Sequence, residues 1–231
     1  MDMVKHALLP IALVAAAFVL GQQVASIRTA DQYVTVKGLA ELPAVADVGT
    51  WSLSVKATGN ELKPVMADMQ RQVTAMTDFL VKAGVPVADI QPQPLRVEDA
   101  QANTYNNGQY ASRFVVEAPV QVRTTVVEAL VKAAMQTQDL VAQGVVLNGY
   151  AMPIFSFTKL NEMKPQLIAE ATKNARMAAQ KFADDSGSAV GGIRRATQGQ
   201  IEILGRDRAL PDDQQVQKTI RVVTTVDYRL D

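Results

Sequence analysis

Residues 46–80, ADVGTWSLSVKATGNELKPVMADMQRQVTAMTDFL, change period in the middle. From Ala46 to Ala57 polar and apolar residues alternate, with Val48, Trp51, Leu53 and Val55 as candidates for burial, which predicts a strand. Leu62, Val65, Met66, Met69, Val73, Met76 and Leu80 then recur at three- and four-residue steps, which predicts a helix with one apolar stripe. Asn60 is the expected cap of that helix. Pro64 falls in its first turn, where no backbone N–H is missed, and Gly84 with Pro86 ends it.

Outward from this stretch the two periods keep mixing. Strands are expected at Tyr33–Gly38, at Ile90–Glu98 and at Gln109–Arg123, with the polar, turn-rich 101–108 (QANTYNNG) between the last two. A shorter helix is expected at 124–135 and extended chain at 144–147 and 150–157. A second long helix should carry Leu160, Met163, Leu167, Ala171, Ala175, Ala178 and Phe182 on one face and close at Ser186-Gly187. Strands at 192–204 and 217–230 follow, separated by 205–215 (GRDRALPDDQQ), a loop that reads as too polar to pack. Runs of adjacent strands interrupted by helices predict an α+β fold: antiparallel sheet carrying two long amphipathic helices and one shorter one. A doubly wound parallel sheet would need regular alternation.

Asn60-Glu-Leu-Lys-Pro64 and Asn161-Glu-Met-Lys-Pro165 are nearly the same pentapeptide, and each opens a long helix that leads into two strands. Duplication of a strand–helix–strand–strand half would produce this. So would convergence, because Asn, Glu and Pro suit any helix start.

Ahead of all this, Ala7 to Gly21 (ALLPIALVAAAFVLG) is apolar and uncharged; Ala7, Leu8, Leu13, Phe18 and Leu20 represent it. A spanning helix needs about 20 mostly apolar residues and a secretory signal needs fewer. Counting on to Ile27 gives enough length for a tilted span, so an N-terminal transmembrane helix is the first expectation. A signal cleaved near Val24-Ala25-Ser26 and a buried core helix are the alternatives. Lys5 precedes the run and Arg28 follows it, which favours a single pass through the cytoplasmic membrane with the body outside the cytoplasm. Residues 1–31 are thus read as anchor or signal, and 32–231 as the folded body.

Lys plus Arg and Asp plus Glu number 23 each, so no net charge draws the chain to nucleic acid. Cysteine is absent, which removes thiol catalysis, thiolate metal sites and disulfides.

Val34-Thr-Val-Lys-Gly38, Ala46-Asp47, Leu80-Val-Lys-Ala-Gly-Val85 with Asp89-Ile90, and Ala169-Glu-Ala-Thr-Lys-Asn-Ala-Arg176 with Ala178-Ala179, Ala183, Ser186-Gly187 and Val190-Gly-Gly-Ile193 keep a distinctive order. Over roughly residues 33–230 this resembles the SIMPL-domain family, the YggE-like envelope proteins of bacteria. The resemblance implies export to the periplasm or cell envelope, no established catalysis, a loose link to stress tolerance and, for some members, assembly into rings. It defines no catalytic or ligand residues. Leu42-Pro43-Ala44-Val45 departs from the expected Val-Pro-Asp-like motif.

The residues agree with a protein that is not an enzyme. His6, the only histidine, precedes the apolar run, so the body has no imidazole base and no histidine metal site. The acidic pairs Glu98-Asp99, Asp184-Asp185 and Asp212-Asp213 are adjacent in sequence, so their side chains diverge and read as solvated surface. Lys159, Lys164 or Lys173 beside Ser156 or Ser186 would be a weak serine–lysine imitation. Trp51 reads as core. Tyr105 and Tyr110, flanking Asn106-Asn107-Gly108, are the expected contact surface. No catalytic residue, cofactor or metal is assigned. The expected function is a membrane-anchored, self-associating envelope protein, a homo-oligomer. The alternatives are a carboxylate hydrolase using Glu98, Asp99, Asp212 and Asp213, and a carrier of a small apolar ligand.

Overall fold

The structure, a computed structural model, describes residues 32–102, 111–149 and 151–231. The first half of the described chain holds β1 (Tyr33–Val45), β2 (Val48–Gly59), α1 (Leu62–Ala83), a 3-10 turn (Val87–Asp89), β3 (Ile90–Pro92), β4 (Arg96–Asp99) and β5 (Phe114–Thr124). Then come α2 (Val127–Met135), α3 (Thr137–Ala142), β6 (Ile154–Ser156), α4 (Leu160–Ser186), β7 (Val190–Gln198), β8 (Glu202–Gly205), a second 3-10 turn (Asp212–Gln214) and β9 (Gln217–Leu230). The class is α+β with antiparallel pairing, as expected. The chain forms two compact units, and the division falls inside β1 and inside β9. Unit 1 comprises Met1–Leu42, Asn161–Glu202 and Arg221–Asp231; unit 2 comprises Pro43–Leu160 and Ile203–Ile220.

In unit 2 the sheet runs β3-β5-β2-β6, with β4 also on β5. The long β2–β5 ladder extends from Gly49 opposite Thr124 to Gly59 opposite Phe114. Trp51, Leu53, Val55 and Ala57 on β2 and Val116, Ala118, Val120 and Val122 on β5 share one face by period two. Val65, Met69, Met76, Phe79 and Leu80 of α1 and Leu130 and Ala133 of α2 pack against it. Burying each large side chain contributes about 1.5–3 kcal/mol. Trp51 also donates Nε1–H to the Ala151 carbonyl at 2.7 Å, which settles the indole's one polar atom. The opposite face is polar: Ser52 donates to Gln121, and Lys56 lies 3.9 Å from Glu117. Gly84 closes α1 with φ 108°, a left-handed turn that glycine adopts without strain.

Unit 1 lays α4 on a small-residue interface. Leu167, Ala171, Ala175, Ala179 and Ala183, four apart, are fully buried, and Val36, Val226 and Tyr228 complete the core. Small side chains let the helix backbone come close to β1. Here the sheet order is β1-β9-β7, with β8 also on β9. Its other face is again polar: Thr35 donates to Asp227 at 2.7 Å, and Arg221 pairs with Glu41 at 3.5 Å.

Several expectations are corrected. Phe182 is 59% exposed, because the buried stripe steps by four through Ala179 and Ala183 rather than through Ala178 and Phe182. Asn60 does not cap α1. Its Oδ1 accepts the Arg113 N–H at 3.1 Å, and Glu61 stands at the cap with no side-chain bond. The second copy of the pentapeptide lies inside α4, which starts at Leu160 and contains Pro165. The strand expected at 90–98 is two strands. Pro92 and Pro94 lack the N–H that a continuous ladder needs, and only Gln93 bridges, donating to the Pro119 carbonyl at 2.9 Å. A residue's N–H and C=O point to the same side of a strand, so the missing N–H of Pro119 falls at that break. The strand expected at 192–204 is also two. Gly199 leaves the ladder between them and donates to Val223 at 2.8 Å. The one short helix is α2 followed by a further short helix, α3.

Candidate functional site

The acidic pairs have separate environments. On β4, Asp99 accepts from Arg113 Nε at 3.1 and 3.2 Å and from Nη2 at 2.9 Å. This fork holds the Asp99 carboxyl below the usual carboxylate range and raises the Arg113 guanidinium. The Arg113 guanidinium also lies 4.8 Å from the centroid of the Phe114 ring. Asp184 accepts from Gln180 at 2.9 Å within α4. Asp212 and Asp213 line a pocket that includes neither Glu98 nor Asp99. The four carboxylates of the hydrolase alternative are therefore not brought together there. Among the described residues, no three His, Asp or Glu side chains gather in a way that could hold a metal ion.

The segment between β8 and β9 is built, contrary to the reading of it as too polar to pack. Gln215 is buried, and its amide reaches into the loop. Nε2 donates to the carbonyls of Asp207 at 2.6 Å and Leu210 at 3.0 Å, while Oε1 accepts the Asp207 N–H at 2.7 Å. Asp212 Oδ1 accepts the Gly205 N–H at 2.7 Å. Polar side chains here satisfy backbone groups that would otherwise be orphaned.

Against this loop lies Lys218, only 4% exposed. Its Nζ donates to the Asp212 carbonyl. Burial pushes the ammonium pKa down from its ordinary value, and the charges of Asp212 and Asp213 oppose that without reversing it. The pocket it shares with Phe155, Ser156, Phe157, Ile203, Asp212 and Asp213 has a volume of about 350 Å³. Sequence reasoning looked to Lys159, Lys164 and Lys173 and missed Lys218. The signal was present, since Lys218 has the parity of Ile220, Val222, Val226 and Tyr228, the inward-facing residues of β9.

A larger open trough, about 860 Å³, runs along α2 and is walled by Val45, Val126, Val127, Val131, Met135 and Val216. Met135 is 77% exposed. Glu128 and Lys132, one turn apart on α2, are its charged groups.

Tyr105 and Tyr110, and the membrane segment represented by Ala7, Leu8, Leu13, Phe18 and Leu20, lie outside the described residues. Among the described residues no helix is long and apolar enough to cross a membrane.

Two antiparallel sheets, each with helix packed on one face, and a pocket bordered by the buried Lys218 define an α+β protein of two units. The chain belongs to the SIMPL family, whose model, described as "Protein of unknown function (DUF541)", matches residues 34–228. No curated protein matches the chain. Among solved structures, an uncharacterized conserved protein from Listeria innocua aligns with 79% of this chain and 90% of its own at 12% identity. The TM-score of that alignment is 0.22, which carries no argument about fold.

Proposed function

We propose that this SIMPL protein is a non-enzymatic component of the cell envelope, held at the membrane by residues 7–21 with its body outside the cytoplasm, and that it works by pairing with copies of itself. The observation that carries this reading is β1. It is thirteen residues long and, among the described residues, ends its sheet with a strand neighbour only on its β9 side. Its free edge offers backbone groups to another strand. The outer face of that sheet carries the Thr35–Asp227 and Glu41–Arg221 contacts, which favour association through the edge over stacking of faces. A role in stress tolerance, which the family resemblance suggests, would then rest on the assembly.

The full chain, extracted in detergent, should give a protein mass by light scattering that is a multiple of 24.9 kDa. Leu39→Lys, which adds a charge beside Lys37 on the edge strand, should shift it toward the monomer. A monomer for the unmodified chain overturns the reading. Because the chain lacks cysteine, Gln200→Cys provides a single thiol for a membrane-impermeant maleimide. Labelling in intact cells is expected if the body faces outward.

The trough along α2 favours a second reading, a carrier of a small apolar ligand, because its volume lies within the range of ligand pockets. Native mass spectrometry without a co-purifying ligand removes it.

A further inference from the structure

We infer that Lys218 is a covalent capture site for small apolar aldehydes, which its ε-amine takes up as an imine. Three observations converge on this amine. Its β9 position places the side chain inward, where a lysine is out of pattern. Its pocket has apolar walls, Phe155, Phe157 and Ile203, and a volume at the small end of the range for ligand pockets. Asp212 and Asp213 border the same pocket. Those carboxylates disfavour an anionic ligand, and the apolar walls favour an uncharged carbon substituent beside the reacting carbonyl.

Burial lowers the proton affinity of the amine, so more of it is neutral and nucleophilic than in an exposed lysine. The lone pair of Nζ attacks the aldehyde carbon and a C–N bond forms as the C=O π pair moves to oxygen. The oxygen takes a proton as the nitrogen gives up one of its two, which gives a neutral carbinolamine. A second proton then lets it leave as water while nitrogen gives up its proton to form C=N. Amine plus aldehyde thus give imine plus water, with no oxidant or reductant consumed. The inference is independent of self-association, since the pocket lies wholly within unit 2.

The full chain in detergent is incubated near neutral pH with hexanal and sodium cyanoborohydride, digested, and its alkylated lysines are quantified by mass spectrometry. Lys218 should be alkylated severalfold faster than exposed Lys37 and Lys173, because burial leaves more of its amine neutral. The same reaction on the urea-unfolded chain should erase that preference. No alkylation of Lys218, a rate no higher than at Lys37 and Lys173, or a preference that survives unfolding would each overturn the inference.

Discussion

Gly38 on β1 touches the backbone of α4 so closely that a Cβ placed on it would overlap the carbonyl oxygen of Ala171 and stand 2.6 Å from the Ala175 nitrogen. Neither neighbour is a flexible side-chain end, so neither can yield cheaply. Gly38→Ala should therefore destabilise the protein by about 1–3 kcal/mol, the usual cost of overpacking. Gly192→Ala, where a new Cβ meets nothing within 4 Å, should stay within about 0.5 kcal/mol. Urea unfolding followed by circular dichroism compares the two.

Gln215→Ala removes the amide that ties Asp207 and Leu210 to the loop. The expected cost is about 1–3 kcal/mol for the backbone groups left unsatisfied. Hydrogen exchange at residues 206–214 should accelerate while the β2–β5 ladder keeps its protection. Unchanged exchange in the loop would show that Gln215 does not organise it.

Asp99 makes a pH-dependent contribution of defined sign. Its folded pKa lies below the reference value of 3.8, so its stabilisation is complete above that value and is lost as pH falls through the folded value. Arg113→Gln should be less stable than the parent near neutral pH, and the difference should vanish once the pH lies below the folded value of Asp99. The effect is small, because Arg113 is exposed and Asp99 only half-buried. A difference that persists in acid would assign it to lost Arg113 packing on Phe114 instead.

Lys218 contributes a pH dependence of the same sign. Its folded pKa is below the reference value of 10.5, so the unfolded chain binds the extra proton between the two values. Stability should rise with pH through that window. Lys218→Met, similar in length and uncharged, should abolish that slope. An equal slope in both proteins would trace it to another group.

Where one side chain decides burial, the sequence is readable. β9 matches its expected bounds, Trp51 and Met76 are in the core, and α1 ends at Gly84. The errors arise where backbone bonding decides. The break between β3 and β4 depends on two prolines meeting the gap opposite Pro119, a register visible only once the strands are paired. The cap at Asn60 was lost to a competing donor, Arg113, fifty-three residues away. The loop around Gln215 looked solvated because its polar residues bond to its own carbonyls, which composition does not reveal. Lys218 shares the parity of the inward residues of β9, a signal that its charge masks in the sequence.

Trp51 is the chain's one tryptophan, and it is 3% exposed in unit 2. The protein thus contains an optical reporter already confined to one of its halves. Red-edge excitation of the indole follows the loosening of unit 2 and is blind to unit 1, whose buried ring is the phenol of Tyr228. Comparing indole emission with far-ultraviolet ellipticity during denaturation tells whether the halves melt together, with no label attached.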